Sequence, residues 1–216
     1  YINYHYCYGK HCRDVECFPD FNFMHWTAVG VFDYTETINE IRNIDITKYE
    51  EMKVGWIGAL NGSWHKRRVL YKLGQENPDI LDIINIGGWN CREGNTHLVP
   101  HSCPYLSYAE LCQKYAILID IEGGGYSGRL KYLMHSGRPV IVVDRVPKEF
   151  FYRYMKAWEH YIPVENDLSD FEEKLDYYLQ HDDERNLIIE RGYDMAVNNY
   201  TWKHMAMKLL KEVGEL

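Results

Sequence analysis

Apolar runs alternate with amphipathic stretches along most of the chain. Four short apolar runs, rich in β-branched and aliphatic residues, lie at 54–59, 80–86, 116–121 and 140–143. Helical spacing of apolar positions occurs at 64–75, 168–180, 183–198 and 200–213. Short strands that alternate with helices are typical of a parallel sheet covered by helices. The pattern predicts an α/β domain over 53–200, preceded by a less regular segment at 1–52 and followed by a C-terminal helix at 201–216.

The stretch 116–145 reads as one strand–turn–helix–strand unit. Its first apolar run leads into three consecutive glycines at 123–125, and helical spacing then predicts a helix over 127–135. Glycines let the backbone approach a ligand closely, and free N–H groups at a helix start favour an anion, commonly a phosphate. The turn matches neither the P-loop nor the six-residue dinucleotide fingerprint. A nucleotide-diphosphate site and a structural turn are therefore the two alternatives.

Two arginines are placed to reach an anion in this turn. Arg129 follows the turn directly, and Arg67 lies at the start of the predicted helix 64–75. Because parallel strands end at one edge of a sheet, side chains that follow neighbouring strands meet there. Two guanidinium groups would hold a diphosphate by charge-assisted hydrogen bonds. We therefore expect these arginines to converge, the alternative for the basic residues at 66–68 being a solvated helix face.

Composition and charge narrow the class of function. The 216 residues carry a formal net charge of −8, and 46% of them are hydrophobic. A general nucleic-acid binder needs a basic face, so the acidic balance argues against nucleic acid as a partner. Nowhere does the sequence contain the run of about 18 apolar residues that a membrane span requires. A globular protein with one local basic site fits these properties.

The cysteines leave the redox state open. Three of the six, Cys7, Cys12 and Cys17, are spaced by five residues, without the C-x2-C pairs typical of zinc sites. We therefore expect no metal site. Reduced thiols and one or two disulfides remain alternatives.

Several segments resemble the signature of glycosyltransferase family 90, the group of capsule-associated proteins, protein O-glucosyltransferases and fungal xylosyltransferases. Residues 112–115 (CQKY) are similar to the family's C-x-(H/K)-(K/R)-Y with one position fewer, and 123–133 (GGGYSGRLKYL) are similar to its G-x-x-x-S-x-R-x-K-x-L. Residues 158–164 (WEHYIPV) and 18–23 (FPDFNF) resemble W-x-H-Y-(I/V)-P-V and F-P-D-(F/W)-x-F. The similarity extends over about residues 13–200.

The resemblance implies a GT-B-like protein with a Rossmann-type donor lobe and a small or truncated N-terminal acceptor lobe. It implies transfer of xylose or glucose from a UDP-sugar to a hydroxyl of a glycan or glycoprotein acceptor. It further implies inversion of configuration, with no obligatory metal or other cofactor. Arg67 and Arg129 would hold the diphosphate. The turn would supply backbone N–H groups and one hydroxyl, from Gly124, Gly125, Tyr126 and Ser127.

An inverting transfer also needs a general base opposite the leaving group. The family places an Asp in an Arg-Asp pair of the N-terminal lobe, and the matching pair here is Arg13-Asp14. The interval from Asp14 to Phe18 is shorter than the family's usual loop, so either that loop is deleted or part of the chain is missing from this sequence. Asp20 is the alternative base, unless it is only a turn carboxylate.

A non-catalytic nucleotide- or glycan-binding domain is the second function that we consider. Such a domain would keep the Rossmann-type lobe and lose catalysis through its short N-terminal lobe. The two functions differ in whether a carboxylate from residues 1–52 faces the turn at 123–129. For location we favour the cytoplasm, with the lumen of the endoplasmic reticulum or Golgi as the alternative.

Overall fold

A five-stranded parallel sheet organises the protein. The computed structural model describes residues 23–26, 29–60, 65–86, 105–123, 127–145, 148–212 and 214. The strands of the sheet are Glu51–Gly58 (β1), Leu81–Asn85 (β2), Tyr115–Asp120 (β3), Val140–Val143 (β4) and Ile162–Val164 (β5). Their spatial order is β2-β1-β3-β4-β5, and all neighbouring pairs are parallel. The chain therefore switches direction across the sheet between β1 and β3, where ligands bind in open α/β sheets.

Helices cover both faces of this sheet. Seven α-helices lie in the described part of the chain: Tyr34–Arg42 (α1), His65–Glu76 (α2), Tyr108–Lys114 (α3), Leu130–Leu133 (α4), Phe171–Gln180 (α5), Asp182–Asn199 (α6) and Trp202–Glu212 (α7). A 3₁₀ helix at Phe150–Tyr154 joins β4 to β5. The predicted α/β class is thereby confirmed. The division into 1–52, 53–200 and 201–216 stays a prediction.

The sheet separates two apolar cores because successive side chains point to opposite faces. In β3, Leu118 packs into one core, and its neighbours Ile117 and Ile119 pack into the other. Every residue of β3 and β4 is buried. Strands covered on both faces read as continuous apolar runs, which is why the sequence identified them.

The predicted helix over 127–135 is wrong in length. The helix α4 contains only Leu130–Leu133, and its N-cap is Arg129 rather than Ser127. Ser127 lies outside the helix and donates its hydroxyl hydrogen bond to Asp120, at the end of β3. One helical turn has a small macrodipole, so the charge of the nearby arginines outweighs it for attracting an anion.

Within the residues that the structure describes, no helix combines the length and the apolar character needed to cross a bilayer.

Gly55 allows a side chain of β3 to reach β2 across the intervening strand. The Tyr115 ring lies against Gly55, and its hydroxyl donates a hydrogen bond to the Asp82 carboxylate. A Cβ at position 55 would lie 1.9 Å from the ring, which is fully buried. The packing of three strands therefore depends on the absence of this one side chain.

We predict that Gly55→Ala lowers the free energy of unfolding by about 2 kcal/mol, because the buried ring has no free space to move into. Urea denaturation measures this value. The matched control is Met52→Ala on the same strand, where 57% of the side chain is exposed, and where we expect a change within about 0.5 kcal/mol. Equal stabilities of the two variants would show that the ring does not depend on Gly55.

Candidate functional site

Arg67 and Arg129 converge on Trp56 at the carboxyl end of β1. Their guanidinium carbons lie 5.2 and 5.3 Å from the centre of the Trp56 ring system. The Trp56 side chain is completely buried, and the missing side chain of Gly58 leaves room for its ring. Cation–π attraction at this distance favours both positive charges. The structure thus brings together the two arginines that the sequence places after neighbouring strands.

Main-chain carbonyl groups fix both guanidinium groups in place. Arg67 donates from Nε to the Glu122 oxygen at 2.8 Å and from Nη1 to the Ala59 oxygen at 3.0 Å. Arg129 donates from Nη1 to the Ile57 oxygen at 2.6 Å. Among the described residues, neither arginine forms an ion pair with a carboxylate. Their orientation is therefore set by neutral acceptors, and their charge is left without a direct counter-ion.

The like charges of the two arginines act on each other. Burial, followed by the positive charge of Arg129, lowers the pKa of Arg67 from its usual 12.5 to about 9. Asp120 opposes this change, whereas Arg145 adds to it. The shift means that the folded protein holds the charged form of Arg67 at a cost. A bound anion would remove much of that cost.

The carboxylates nearby are already engaged by other cations. Glu122 pairs with Lys66 at 2.5 Å, and Asp120 pairs with Arg145. Each pair is neutral in itself, so neither of them neutralises Arg67 or Arg129. A dianion that reaches the carboxyl edge between β1 and β3 would supply the counter-charge that these two arginines lack.

Asp120 joins the loops that follow β3 and β4. Its carboxylate is completely buried and accepts hydrogen bonds from the Ser127 hydroxyl at 2.5 Å and from Nη2 of Arg145. Arg145 also donates from Nε to the Tyr152 hydroxyl at 2.6 Å. The network ties the end of the glycine turn to the rest of the site. These hydrogen bonds offset part of the cost of burying the charged pair, although Nη1 of Arg145 has no hydrogen-bond partner among the described residues.

Lys131 fixes the backbone next to Arg129. Its fully buried ammonium group donates to the Gly128 carbonyl oxygen at 3.1 Å. The ammonium nitrogen lies 4.8 Å from the centre of the Phe23 ring and 5.8 Å from that of Phe151. These contacts hold the peptide from which the Arg129 side chain projects.

The sequence reasoning missed Asp120, Arg145 and Lys131. Two of them could have been identified from their positions in the sequence. Asp120 lies at the end of one apolar run and Arg145 lies just after another, and such positions face the carboxyl edge of a parallel sheet. The contact between Asp120 and Arg145 spans 25 positions in sequence. No local pattern specifies such a pairing.

Of the remaining predicted site residues, the structure describes Ser127 but not the other five. Ser127 is 4% exposed and donates its hydroxyl hydrogen to Asp120, so the predicted contact of this hydroxyl with a phosphate would require that hydrogen bond to break. Five predicted residues lie outside the described part of the chain: Asp14, Asp20, Gly124, Gly125 and Tyr126. In the part that is described, no group of three or more His, Cys, Asp or Glu side chains could hold a metal ion. Cys112 is a buried free thiol.

Solved structures of similar fold include a protein in complex with UDP and glucose and a glycosyltransferase. An Anabaena protein, Alr3699/HepE, solved with UDP and glucose, matches 96% of this chain and 58% of its own with a TM-score of 0.55 and 11% identity. A glycosyltransferase from Rickettsia africae ESF-5 matches 76% of this chain and 48% of its own with a TM-score of 0.53 and 14% identity. Likeness at this level of identity shows a GT-B-like fold.

Curated relatives are similar in sequence over part of their length. The O-glucosyltransferase rumi of Drosophila pseudoobscura pseudoobscura is 28% identical over 192 residues, which are 87% of this chain and 45% of that protein. Protein O-glucosyltransferase 1 of Rattus norvegicus is 40% identical over 134 residues, which are 62% of this chain and 34% of that protein. The chain spans less than half the length of these relatives.

A family model supplies the assignment. The model of glycosyl transferase family 90 matches residues 3–213, which is nearly the whole chain. The match includes the turn, both arginines and the segments that resemble the family signature. This chain therefore belongs to glycosyl transferase family 90.

Proposed function

We propose that this chain forms the donor-binding part of an inverting, metal-independent glycosyltransferase that uses a UDP-sugar. The observation that carries the proposal is the pair of arginines over Trp56, whose charges have no carboxylate partner among the described residues. The diphosphate of a UDP-sugar carries two negative charges and would fit between the two guanidinium groups. Family membership and the curated O-glucosyltransferase relatives support the same function.

Glucose is the donor sugar that we favour, and xylose is the alternative. The relatives bear the name O-glucosyltransferase, and one protein with the same fold was solved with UDP and glucose. The acceptor that we propose is a hydroxyl of a glycan or glycoprotein.

The arginines would act on the leaving group. In the transfer, the acceptor oxygen forms a bond to the anomeric carbon of the sugar, while the bond from that carbon to the diphosphate oxygen breaks. The electron pair leaves with UDP, so negative charge develops beside Arg67 and Arg129. Donors that are fixed in advance stabilise such charge without reorganisation. The carbonyls of Ile57, Ala59 and Glu122 provide that fixed geometry here.

The proton of the acceptor hydroxyl needs a carboxylate base on the opposite face. We propose Asp14 for this role, with Asp20 as the alternative. Inversion follows when attack and departure occur on opposite faces of the anomeric carbon in one displacement. The alternative function, a non-catalytic nucleotide- or glycan-binding domain, applies if no carboxylate from residues 1–52 faces the turn at 123–129.

Arg129→Ala should weaken UDP binding by about 10- to 100-fold, because hydrogen bonds to a charged group are each worth about 1.5–3 kcal/mol. Isothermal titration calorimetry of the chain with UDP measures this loss. Arg191→Ala removes an exposed arginine from α6, far along the chain from the site, and should leave the affinity unchanged. Unchanged affinity in Arg129→Ala would refute the diphosphate assignment.

Ser127→Ala should lower the free energy of unfolding by about 1–3 kcal/mol, because the buried Asp120 oxygen loses its hydroxyl donor. We expect UDP affinity to fall less than threefold, since the same hydroxyl is not available to a phosphate. Parallel urea denaturation and calorimetry separate the two effects. A large loss of affinity at unchanged stability would show instead that the hydroxyl binds the phosphate directly.

Asp14→Asn should retain UDP binding and lose transfer by about 100-fold or more, as expected when a general base is removed. The measurement is UDP release from UDP-glucose and UDP-xylose in the presence of glycan or glycoprotein acceptors, with and without chelator. Asp20→Asn is the matched comparison and should stay active. Activity that survives in Asp14→Asn but not in Asp20→Asn would move the base, and chelator-sensitive turnover would contradict the metal-independent mechanism.

A further inference from the structure

A second cavity lies at the amino edge of the sheet, away from the arginine pair over Trp56. Its volume is about 670 Å³, within the usual range for small-molecule sites. Met52 near the start of β1, Ile117 near the start of β3 and Pro139 just before β4 line it. Met52 and Ile57 are five positions apart along β1, about 16 Å at the usual rise per residue. The two sites therefore occupy opposite edges of one sheet.

Two arginines line this cavity without a carboxylate partner in the described part of the chain. Arg42, the last residue of α1, donates from Nη2 to Nδ1 of the fully buried His135 at 3.1 Å. Its Nε is buried and has no hydrogen-bond partner among the described residues. Burial lowers the pKa of His135 to about 3, so this imidazole is neutral and accepts the hydrogen bond from Arg42. It supplies no negative charge to balance the arginine.

The second arginine is Arg138. It donates from Nε to the Cys112 oxygen at 3.1 Å, from Nη1 to the Ile46 oxygen at 2.8 Å and from Nη2 to the Lys48 oxygen. All three acceptors are neutral carbonyls. Arg138 therefore adds positive potential to the cavity with three of its five N–H donors engaged. Within the described part of the chain, the half-buried Arg42 has one side-chain hydrogen bond, to His135, and so keeps more of its donors for a ligand.

The rim of the cavity is largely apolar. Ile46, Tyr49 and Met52 line it and are 54%, 44% and 57% exposed. Two carboxylates, those of Glu190 and Asp194, also line the cavity, but both residues are exposed to solvent, which screens them. The third arginine of the lining, Arg185, is already paired with Asp182 at 2.7 Å.

We propose that this cavity is a second small-molecule site, for an organic anion with an apolar body. The acidic group, a carboxylate or a phosphate, would bind Arg42 in the positive potential that Arg138 reinforces. The apolar body would cover the exposed side chains of Ile46, Tyr49 and Met52. Such a ligand supplies the counter-ion that Arg42 lacks and removes apolar surface from water. This site is independent of the proposed sugar transfer.

The test uses two fluorescent probes that differ by one acidic group: 8-anilinonaphthalene-1-sulfonate and its neutral analogue N-phenyl-1-naphthylamine. We expect saturable binding of one sulfonate probe per chain, about tenfold tighter than the neutral probe, since a charge-assisted hydrogen bond is worth about that factor. Octanoate and octyl phosphate should displace the probe, which compares the two acidic groups, whereas octanol should not. Equal binding of both probes would overturn the proposal.

Surface variants locate the probe without risk to the fold. Met52→Asp places a negative charge at the rim and should weaken sulfonate binding about fivefold or more, through repulsion and lost apolar contact. Met207→Asp makes the same change on α7, where the side chain is 51% exposed and outside the cavity, and should leave binding unchanged. Equal effects of the two variants would show non-specific adsorption.

Saturating UDP separates this site from the nucleotide site. We expect the sulfonate probe to remain bound when UDP is present, because the two sites lie at opposite edges of the sheet. Displacement of the probe by UDP would overturn the second site. If UDP does not bind at all, the proposed transferase function is contradicted. The second site is then still tested by comparing the sulfonate affinities of Met52→Asp and Met207→Asp.

Discussion

The convergence of Arg67 and Arg129 on one buried tryptophan is the interaction on which the functional interpretation depends. Two like charges in a partly dry environment repel, and burial penalises each of them. The fold tolerates them because backbone carbonyls accept their hydrogen bonds and the Trp56 ring offers its π face. A bound dianion would offset the repulsion between the two arginine charges and the cost of burying them. Without it, the paired charges lower the stability of the folded protein, which is the expected cost of an anion site that is formed in advance.

Support for this arrangement comes from the centre of the sheet. β3 is the middle strand, and its last residue, Asp120, holds Ser127 from the turn after β3 and Arg145 from the loop after β4. Lys131 secures the next turn of chain by binding the Gly128 carbonyl. The loops at the carboxyl edge are therefore connected to one another by buried polar contacts. Such preorganisation is what electrostatic stabilisation of a leaving group requires.

The sequence predicted the features that depend on local pattern. Continuous apolar runs identified the buried strands, and the glycine turn with Arg129, together with Arg67 at a helix start, identified the charged edge. Helix α4 was predicted too long. At its amino end, Ser127 lies outside the helix and donates a hydrogen bond to Asp120, a contact that the spacing of apolar residues does not register. The roles of Asp120 and Arg145 depend on pairing between separate loops. The cavity beside Arg42 likewise forms from segments that are distant in sequence, so no local sequence pattern predicts it.

A crystal structure of this chain with UDP is the most direct measurement of the central claim. The account predicts diphosphate density at the carboxyl edge of the sheet, with phosphate oxygens within hydrogen-bond distance of the guanidinium groups of both Arg67 and Arg129. UDP bound elsewhere, or bound with its diphosphate in contact with neither arginine, would contradict the account.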